Sequence, residues 1–259
     1  MGTFLFDKII FGPVKSRRLG ISLGINLLPI DSKLCNFNCI YCECGWTPGA
    51  KELKVDWHPR DVVRQKLDEV LSEMKAESKA LDVITYAGNG EPTMHPEFAG
   101  IINDTIVLRD KYFPKARVAV LSNATQINKP KIVAALKKVD DKILKLDSAF
   151  PETVKLINNP QGFYRIEKVV ENMKQFDGKF TLQTMFVKGE HEGQKVDNTT
   201  EKELNAWLKL VKETNPQTVM IYTIARDTPG PDLVKVSYEE LKAISDKLET
   251  EGFDVQISA

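Results

Sequence analysis

Hydrophobic and polar positions along the chain follow two periods, which alternate and together predict the secondary structure. Apolar residues such as Val63, Leu67, Val70 and Met74 recur at helical spacing and predict an amphipathic helix over 60–75. Helices of the same kind are predicted at 96–111, 130–139 and 164–176. Short apolar runs between them predict buried strands at 23–28, 82–87, 117–121, 142–146, 180–187, 218–224 and 253–257.

Two further helices are indicated by the residues at which they begin. Thr200 with Glu203, and Ser237 with Glu240, form the Ser/Thr-x-x-Glu capping-box pattern ahead of apolar residues at helical spacing. The segment 188–199 is polar and contains glycine. We predict that this segment is a loop.

The order of these elements predicts the fold class. Roughly six βα units follow one another, which predicts an α/β fold with a parallel sheet and right-handed crossovers. The pattern alone leaves two arrangements open, a barrel-like sheet and a doubly wound open sheet. A barrel-like sheet has its active site at the C-terminal ends of the strands. Because the sequence contains no repeat and no low-complexity linker, we expect a single domain over residues 1–259.

Composition and charge narrow the functional classes. The 259 residues include 42% hydrophobic and 28% charged side chains, as in ordinary globular proteins. The 36 basic and 36 acidic side chains balance, so there is no overall attraction to nucleic acid or to an anionic membrane. We find no signal peptide and no run of about 18 apolar residues. We therefore expect a cytoplasmic protein that does not bind membranes, in a compartment where thiols stay reduced.

All four cysteines lie between Cys35 and Cys44, a crowding that suits metal binding better than a disulfide framework. Thiolates are soft ligands and select iron–sulfur clusters, zinc or copper(I). If Cys35, Cys39 and Cys42 hold a four-iron cluster, one iron keeps open positions for another ligand. Zinc is the alternative. Zinc sites usually join two separated ligand pairs, and no second pair exists here. Cys44 is poorly spaced for a fourth ligand, and we leave its role open.

The segment Cys35-Asn-Phe-Asn-Cys39-Ile-Tyr41-Cys42 follows the first predicted strand. This C-x3-C-x2-C spacing, with an aromatic residue before the third cysteine, resembles the signature of the radical S-adenosylmethionine (radical SAM) superfamily. The resemblance implies a partial (β/α)6 TIM-like barrel, with a core at about 20–225, a basic N-terminal lead-in and an appended C-terminal helix and strand. It also implies a 4Fe-4S cluster on the three cysteines and S-adenosylmethionine as cofactor.

By the same resemblance, the amino and carboxylate groups of S-adenosylmethionine chelate the open iron. One electron then cleaves the cofactor to a 5′-deoxyadenosyl radical, which abstracts hydrogen from a substrate. The expected electron donor is a reduced flavodoxin- or ferredoxin-type protein. The alternative function is that of a zinc or iron–sulfur binding protein without chemistry.

Other positions resemble the superfamily's cofactor-binding segments. Gly88-Asn89-Gly90-Glu91-Pro92 resembles the Gly-Gly-Glu-Pro motif, with Asn in the first place, and the resemblance assigns it to the amino group of the cofactor. A tight turn is the simpler interpretation. The remaining candidates lie on later strands or just after them, apart from Tyr41. The predicted cofactor-binding residues are Tyr41, Asn89, Gly90, Glu91, Asn123, Asp147, Ser148, Gln183 and Ile224.

Each of these later candidates has a stated role and an ordinary alternative. Asn123, Asp147 and Ser148 suit hydrogen bonds to a ribose or a carboxylate, but such residues also form turns. Gln183 is a ligand candidate if its face of the strand points into the barrel. Ile224, together with Tyr41, matches the place where the family packs adenine.

The N-terminal stretch 11–29 resembles one group of radical SAM proteins that is loosely related to the wyosine-forming enzymes of transfer RNA. Lys15, Arg17 and Arg18 suit a phosphate or carboxylate of substrate, or form a solvated basic turn. His95, close to the Gly-Glu-Pro segment, is the only histidine to test as catalytic. The substrate is left open between tRNA, a peptide and a small molecule, and we expect a monomer.

Overall fold

A curled, mostly parallel sheet forms the frame of the molecule, which a computed structural model describes for residues 4–16, 19–49 and 55–259. The strands are β1 Ile10–Ser16, β2 Gly20–Ile25, β3 Val83–Tyr86, β4 Arg117–Ser122, β5 Asp141–Lys145, β6 Thr181–Met185, β7 Val187–His191, β8 Gln194–Asp197, β9 Thr218–Tyr222, β10 Leu233–Lys235 and β11 Asp254–Ser258. The helices are α1 Arg60–Ala76, α2 Phe98–Tyr112, α3 Pro130–Lys138, α4 Pro151–Ile157, α5 Ile166–Met173, α6 Glu201–Thr214 and α7 Tyr238–Thr250.

Eight strands pair in the order β1-β2-β3-β4-β5-β6-β9-β11. All neighbours are parallel except β1, which runs antiparallel to β2. The order follows the chain without a reversal, so the sheet has no switch point of the kind that defines a doubly wound fold. The predicted partial (β/α)6 barrel is therefore confirmed, with β2, β3, β4, β5, β6 and β9 as its six strands.

The helices pack on the outer face of this sheet. In α1, the side chains of Val63, Leu67, Leu71 and Met74 point at the core and are buried, as their spacing predicts. Burial of one such side chain contributes about 1.5–3 kcal/mol. No helix in the part of the chain that the structure describes is both long and apolar enough to cross a membrane.

Four segments differ from the prediction. The N-terminal lead-in contains β1, an edge strand whose Gly12 and Pro13 obscure its pattern, since proline is tolerated only at sheet edges and bulges. The segment 188–199 is not a loop, because it forms most of a β7–β8 hairpin that pairs with β10 in a three-stranded antiparallel sheet. Most of its side chains are exposed or only partly buried, so no apolar alternation signals it. The short helix α4 and the strand β10 were not predicted.

The two capping patterns differ in outcome. Ser237 and Glu240 form the complete box, with both side chains bonded to backbone groups. Thr200 caps α6 by accepting a hydrogen bond from the Glu203 backbone N–H. The Glu203 carboxylate does not complete that box, because it accepts hydrogen bonds from Ser148 and Thr153 instead. This glutamate therefore ties α6 to the segment that follows β5.

Candidate functional site

The loop that carries the cysteines follows β2 and is held against the loop that follows β3. Leu34 N donates to the Asn89 carbonyl oxygen at 2.8 Å, and Glu91 N donates to the Leu34 carbonyl oxygen at 3.1 Å. Gly90 lies between these bonds at φ +139°. A Cβ atom on Gly90 would lie 1.8 Å from the Leu34 carbonyl oxygen. Only glycine permits so close an approach, so the Gly-Glu-Pro segment and the cysteine loop are built as one unit.

Cys35, Cys39 and Cys42 line one cavity of about 280 Å³ at the C-terminal ends of the strands, which we call the cysteine cavity. Polar hydrogens already point at two of the sulfurs. The Phe37 backbone N–H lies 3.4 Å from Cys35 Sγ, and the Asn158 amide lies 3.5 Å from Cys39 Sγ. Hydrogen bonds to sulfur are among the contacts that tune iron–sulfur centres.

The thiols differ in their surroundings. Burial raises the pKa of Cys35 and of Cys39. A hydrogen bond from Cys44 lowers the pKa of Cys42 to about 5, and the same contact raises the pKa of Cys44. The Cys44 Sγ atom also lies 3.5 Å from the Gly88 carbonyl oxygen. Cys44 does not line the cysteine cavity.

The described residues offer no ready site for one metal ion. No three histidine, cysteine, aspartate or glutamate side chains of residues 4–16, 19–49 and 55–259 are grouped closely enough to hold one. A structural zinc ion requires four ligands converging tetrahedrally on a single point. Three soft thiolates that share a cavity wall fit a larger iron–sulfur cluster, which bonds each cysteine through a different iron.

Glu91 places a buried carboxylate on the wall of the cysteine cavity, and only 2% of this residue is exposed. Its oxygens accept hydrogen bonds from Thr93, from Ser122 Oγ at 2.9 Å and from the Asn123 backbone N–H at 2.6 Å. Burial raises the pKa of this carboxyl even against those donors. The side chain links the ends of β3 and β4 and suits an ammonium group as its charged partner.

Asp147 lies behind the cysteine cavity and holds a buried network. Its Oδ2 accepts hydrogen bonds from the Tyr41 hydroxyl and, at 2.7 Å, from the Asn158 amide. Its Oδ1 accepts one from the Met185 backbone N–H at 2.9 Å. Burial and the Asp147 carboxylate raise the pKa of Tyr41. Asp147 does not line the cysteine cavity itself. It fixes the Tyr41 ring, which does line it.

Lys145, at the end of β5, brings an ammonium group to the same wall. Its Nζ lies 2.7 Å from the Tyr222 hydroxyl and 3.6 Å from Asp147 Oδ1, and it stands 5.2 Å above the Tyr41 ring centre. Burial alone would lower the pKa of Lys145, but Asp147 and Tyr222 outweigh it and raise this pKa. The sequence analysis missed this residue. A lysine inside a buried apolar strand was the available signal, because lysine is almost never buried without a partner.

Lys33 is a second ammonium group of the wall that the sequence analysis missed, and this one is buried. It lies two residues before Cys35, lines the cysteine cavity, and donates from Nζ to the Gly45 carbonyl oxygen at 2.8 Å. Burial would lower its pKa, but the cysteines around it, with Cys42 foremost, raise it.

The other predicted residues divide into two groups. Gly90, Asn123 and Gln183 line the cysteine cavity, and the Asn123 amide lies 3.6 Å from Cys35 Sγ. The Gln183 side chain therefore faces the barrel interior, the orientation on which its prediction depended. The rest do not line the cavity. Asn89 forms hydrogen bonds with Phe6 and Pro29, Ser148 forms one with Glu203, and Ile224 packs against the hydrophobic cluster that includes Tyr41.

The N-terminal candidates and His95 lie elsewhere. His95 is buried away from the cavity, where Nε2 donates to the His58 carbonyl oxygen at 3.0 Å and Nδ1 accepts from the Glu97 backbone N–H. Lys15 lines the second cavity described below. Arg17 and Arg18 fall outside the described residues.

A second cavity of about 360 Å³ lies inside the curl of the sheet, and we call it the interior chamber. Gln183 lines both cavities, as do Leu121 and Glu43. Two buried hydroxyls, Ser22 Oγ and Thr85 Oγ1, lie 2.7 Å apart on its wall. The N-terminal segment closes one side with three aromatic rings, those of Phe4, Phe6 and Phe11.

Comparisons with known proteins agree with this geometry. A family model described as "Radical SAM superfamily" matches residues 30–202, more than half of the chain. The chain is 30% identical over 247 residues to a protein named GTPase Obg of Brachyspira hyodysenteriae, covering 94% of this chain and 32% of that protein. It is 31% identical over 213 residues to a UPF0026 protein of Synechocystis, covering 80% of this chain and 73% of that protein. The chain thus spans only about a third of the first relative.

Two solved structures share the fold. SuiB of Streptococcus suis, bound to S-adenosylmethionine, matches with a TM-score of 0.64 and 14% identity, over 91% of this chain and 50% of that one. TYW1 with a lysine–pyruvate adduct bound matches with a TM-score of 0.61 and 13% identity, over 88% of this chain and 73% of that one. At these identities the likeness establishes the architecture. The resemblance seen in the cysteine motif is confirmed by the family match.

Proposed function

Since the chain belongs to the Radical SAM superfamily, a superfamily of enzymes, we propose that it cleaves S-adenosylmethionine reductively with a 4Fe-4S cluster held by Cys35, Cys39 and Cys42. The bound cluster would supply the electron that breaks the cofactor's sulfur–carbon bond, yielding the radical that abstracts hydrogen from substrate. The observation that carries this proposal is the composition of one cavity wall, where three thiols lie with a buried carboxylate and two ammonium groups, those of Lys33 and Lys145.

The charged groups of the wall complement the two charged groups of a methionyl moiety. Glu91 would accept hydrogen bonds from the ammonium group, in agreement with the role that the Gly-Glu-Pro resemblance implies. Lys145 would bind the carboxylate, since it lies at the end of β5, two strands along the sheet from the β3 end that leads to Glu91, and already stands over two aromatic rings. Asn123 offers further polar contacts, and Tyr41 with the neighbouring Ile224 suits the adenine ring.

Substrate binding is assigned to the interior chamber, because it adjoins the cysteine cavity at Gln183. Its aromatic side and its buried hydroxyls suit a planar ring with polar edges. We therefore propose a nucleoside of transfer RNA as the first substrate to test, with a peptide or a small molecule as the other outcomes. Lys15 at the edge of the chamber supports an anionic group on the substrate. A reduced flavodoxin- or ferredoxin-type donor, a cytoplasmic location and a monomeric state complete the proposal.

Anaerobic reconstitution tests the cluster and the cleavage together. We expect a brown protein with about four irons per chain, which releases 5′-deoxyadenosine when reduced with S-adenosylmethionine. Cys39→Ala should abolish that release. Cys44→Ala is the matched control, because this neighbouring thiol does not line the cavity, and it should retain iron and cleavage. A colourless protein with stoichiometric zinc, or cleavage retained by Cys39→Ala, would refute the proposal.

The substrate requires a separate experiment. Nucleosides of transfer RNA and small metabolites should be compared by mass spectrometry between cells with and without the gene. We expect a modified nucleoside to disappear with the gene. If the RNA is unchanged while a metabolite or a peptide changes, transfer RNA is excluded as substrate and the cluster proposal is unaffected.

A further inference from the structure

Lys33 is a buried cation without a carboxylate partner. Only 2% of the residue is exposed, and no carboxylate of the described residues lies within 4.0 Å of its ammonium group. Lys145, the other ammonium group on the cavity wall, has Asp147 at 3.6 Å. An ammonium group buried without an anion costs several kcal/mol, so such groups are normally paired.

The groups around Lys33 identify the missing anion. Its Nζ donates to one backbone carbonyl, that of Gly45, at 2.8 Å. The residue lines the cysteine cavity together with Cys35, Cys39 and Cys42, and all three are the proposed cluster ligands. The negative charge that balances Lys33 must therefore be that of the thiolates and whatever they hold.

We propose that Lys33 is a positioning residue that raises the reduction potential of the cluster. This inference rests on the proposed function, because it requires a cluster on Cys35, Cys39 and Cys42. Reduction adds one electron from an external low-potential reductant and makes the cluster with its three thiolates more negative. A fixed positive charge nearby stabilises the more negative state more strongly, and the buried surroundings screen this effect little. Lys33 thus makes the cluster easier to reduce.

Three substitutions distinguish the effect of the Lys33 charge from the effect of its hydrogen bond and from the effect of replacing any buried lysine. Lys33→Gln keeps a donor for the Gly45 carbonyl oxygen but removes the charge. Lys33→Arg keeps the charge. Lys142→Gln is the matched control, since Lys142 is also buried but lies at the start of β5, at the opposite end of the barrel from the cysteines. Each protein is reconstituted anaerobically, and its iron content is measured before any potential is read.

The measurement is a redox titration followed by electron paramagnetic resonance of the reduced cluster. At a fixed potential, we expect Lys33→Gln to show at least a tenfold lower ratio of reduced to oxidised cluster than the wild type. For a one-electron couple a tenfold ratio corresponds to a midpoint lower by about 59 mV. Lys33→Arg and Lys142→Gln should stay close to the wild type, because both leave the charge beside the cysteines in place.

The outcomes are distinct. A Lys33→Gln protein with full iron content and the wild-type midpoint overturns the inference. A Lys33→Gln protein that holds no cluster, while Lys142→Gln holds one, also overturns it. Lys33 would then be required for assembly of the cluster rather than for its reduction potential. Wild-type protein that holds no cluster refutes the proposed function itself, and this is read from iron content before any variant is compared.

Discussion

Substitution of Gly90 by alanine tests the contact that joins the cysteine loop to the Gly-Glu-Pro segment. A Cβ atom at this position would lie 1.8 Å from the Leu34 carbonyl oxygen, which belongs to the backbone and cannot rotate away. The residue also holds φ at +139°, a conformation that side chains strongly disfavour. The two loops must therefore separate.

The cost follows from the bonds that the separation breaks. Leu34 takes part in two backbone hydrogen bonds across this contact, at 2.8 Å and 3.1 Å. Each contributes about 1 kcal/mol net. The unfavourable φ adds about 1–3 kcal/mol. We therefore expect a loss of about 3–5 kcal/mol in the free energy of unfolding, which in a chain of this size lowers Tm by roughly 6–20 °C.

Thermal unfolding of the iron-free protein, followed by circular dichroism, measures this loss, and iron content after reconstitution measures its effect on the site. Gly162→Ala is the control, because a Cβ atom there would meet nothing within 4 Å. It should unfold within a few degrees of the wild type and load iron normally. If Gly90→Ala unfolds at the same temperature as Gly162→Ala and binds as much iron, the two loops are not coupled as described.

Three further predictions concern the charges of the protein. Glu91→Gln should weaken binding of S-adenosylmethionine to the reconstituted protein about tenfold or more in calorimetry, since a charge-assisted hydrogen bond contributes about 1.5–3 kcal/mol; unchanged affinity contradicts the assignment. Lys145→Met should weaken it similarly and Lys145→Arg less, and equal losses in both would point to a packing role. The Arg60 guanidinium, bonded to Asp104 at 2.7 Å, lowers the pKa of that carboxyl. The Arg60–Asp104 pair stabilises the fold at pH values above 3.8, the ordinary pKa of an aspartate. This stabilisation is lost as the pH falls through the lowered pKa of Asp104. Asp104→Asn should therefore lower Tm at pH 7 but not near pH 2, and an equal shift at both would refute the linkage.

Much of the fold follows from local pattern, because buried parallel strands and amphipathic helices have strong periods. The strands that escaped prediction are those without an apolar face. β1 lies at an edge and carries a proline, while β7, β8 and β10 keep most of their side chains exposed or only partly buried. Their pairing partners, rather than their own composition, make them strands. Short elements such as α4 likewise form because they pack, and seven residues are too few to be helical alone.

The proximity of the candidate residues was predictable where one residue type recurs at one spacing, as with the cysteines and Gly90. It was less predictable where a polar side chain can point either into the cavity or away from it. Asn89 and Ser148 were themselves predicted to bind the cofactor, yet their side chains bond to Phe6 and to Glu203, contacts that span 83 and 55 residues. Asn158, which reaches Cys39 Sγ from the end of α4, is 119 residues away in the chain. Contacts at such separations depend on tertiary packing, which local sequence does not encode.

The polar wall of the cysteine cavity is already ordered by the protein itself. Among the described residues, every buried side-chain nitrogen and oxygen has a hydrogen-bond partner. Glu91 is held by the end of β4, and the Tyr41 ring by Asp147. A wall whose groups are oriented in advance loses little conformational freedom when a charged ligand binds, so more of the contact energy appears as affinity. Two charges of the wall, those of Glu91 and Lys33, have no oppositely charged side chain within 4.0 Å among the described residues. We assign the Glu91 carboxylate to an incoming ammonium group and the Lys33 charge to the proposed cluster.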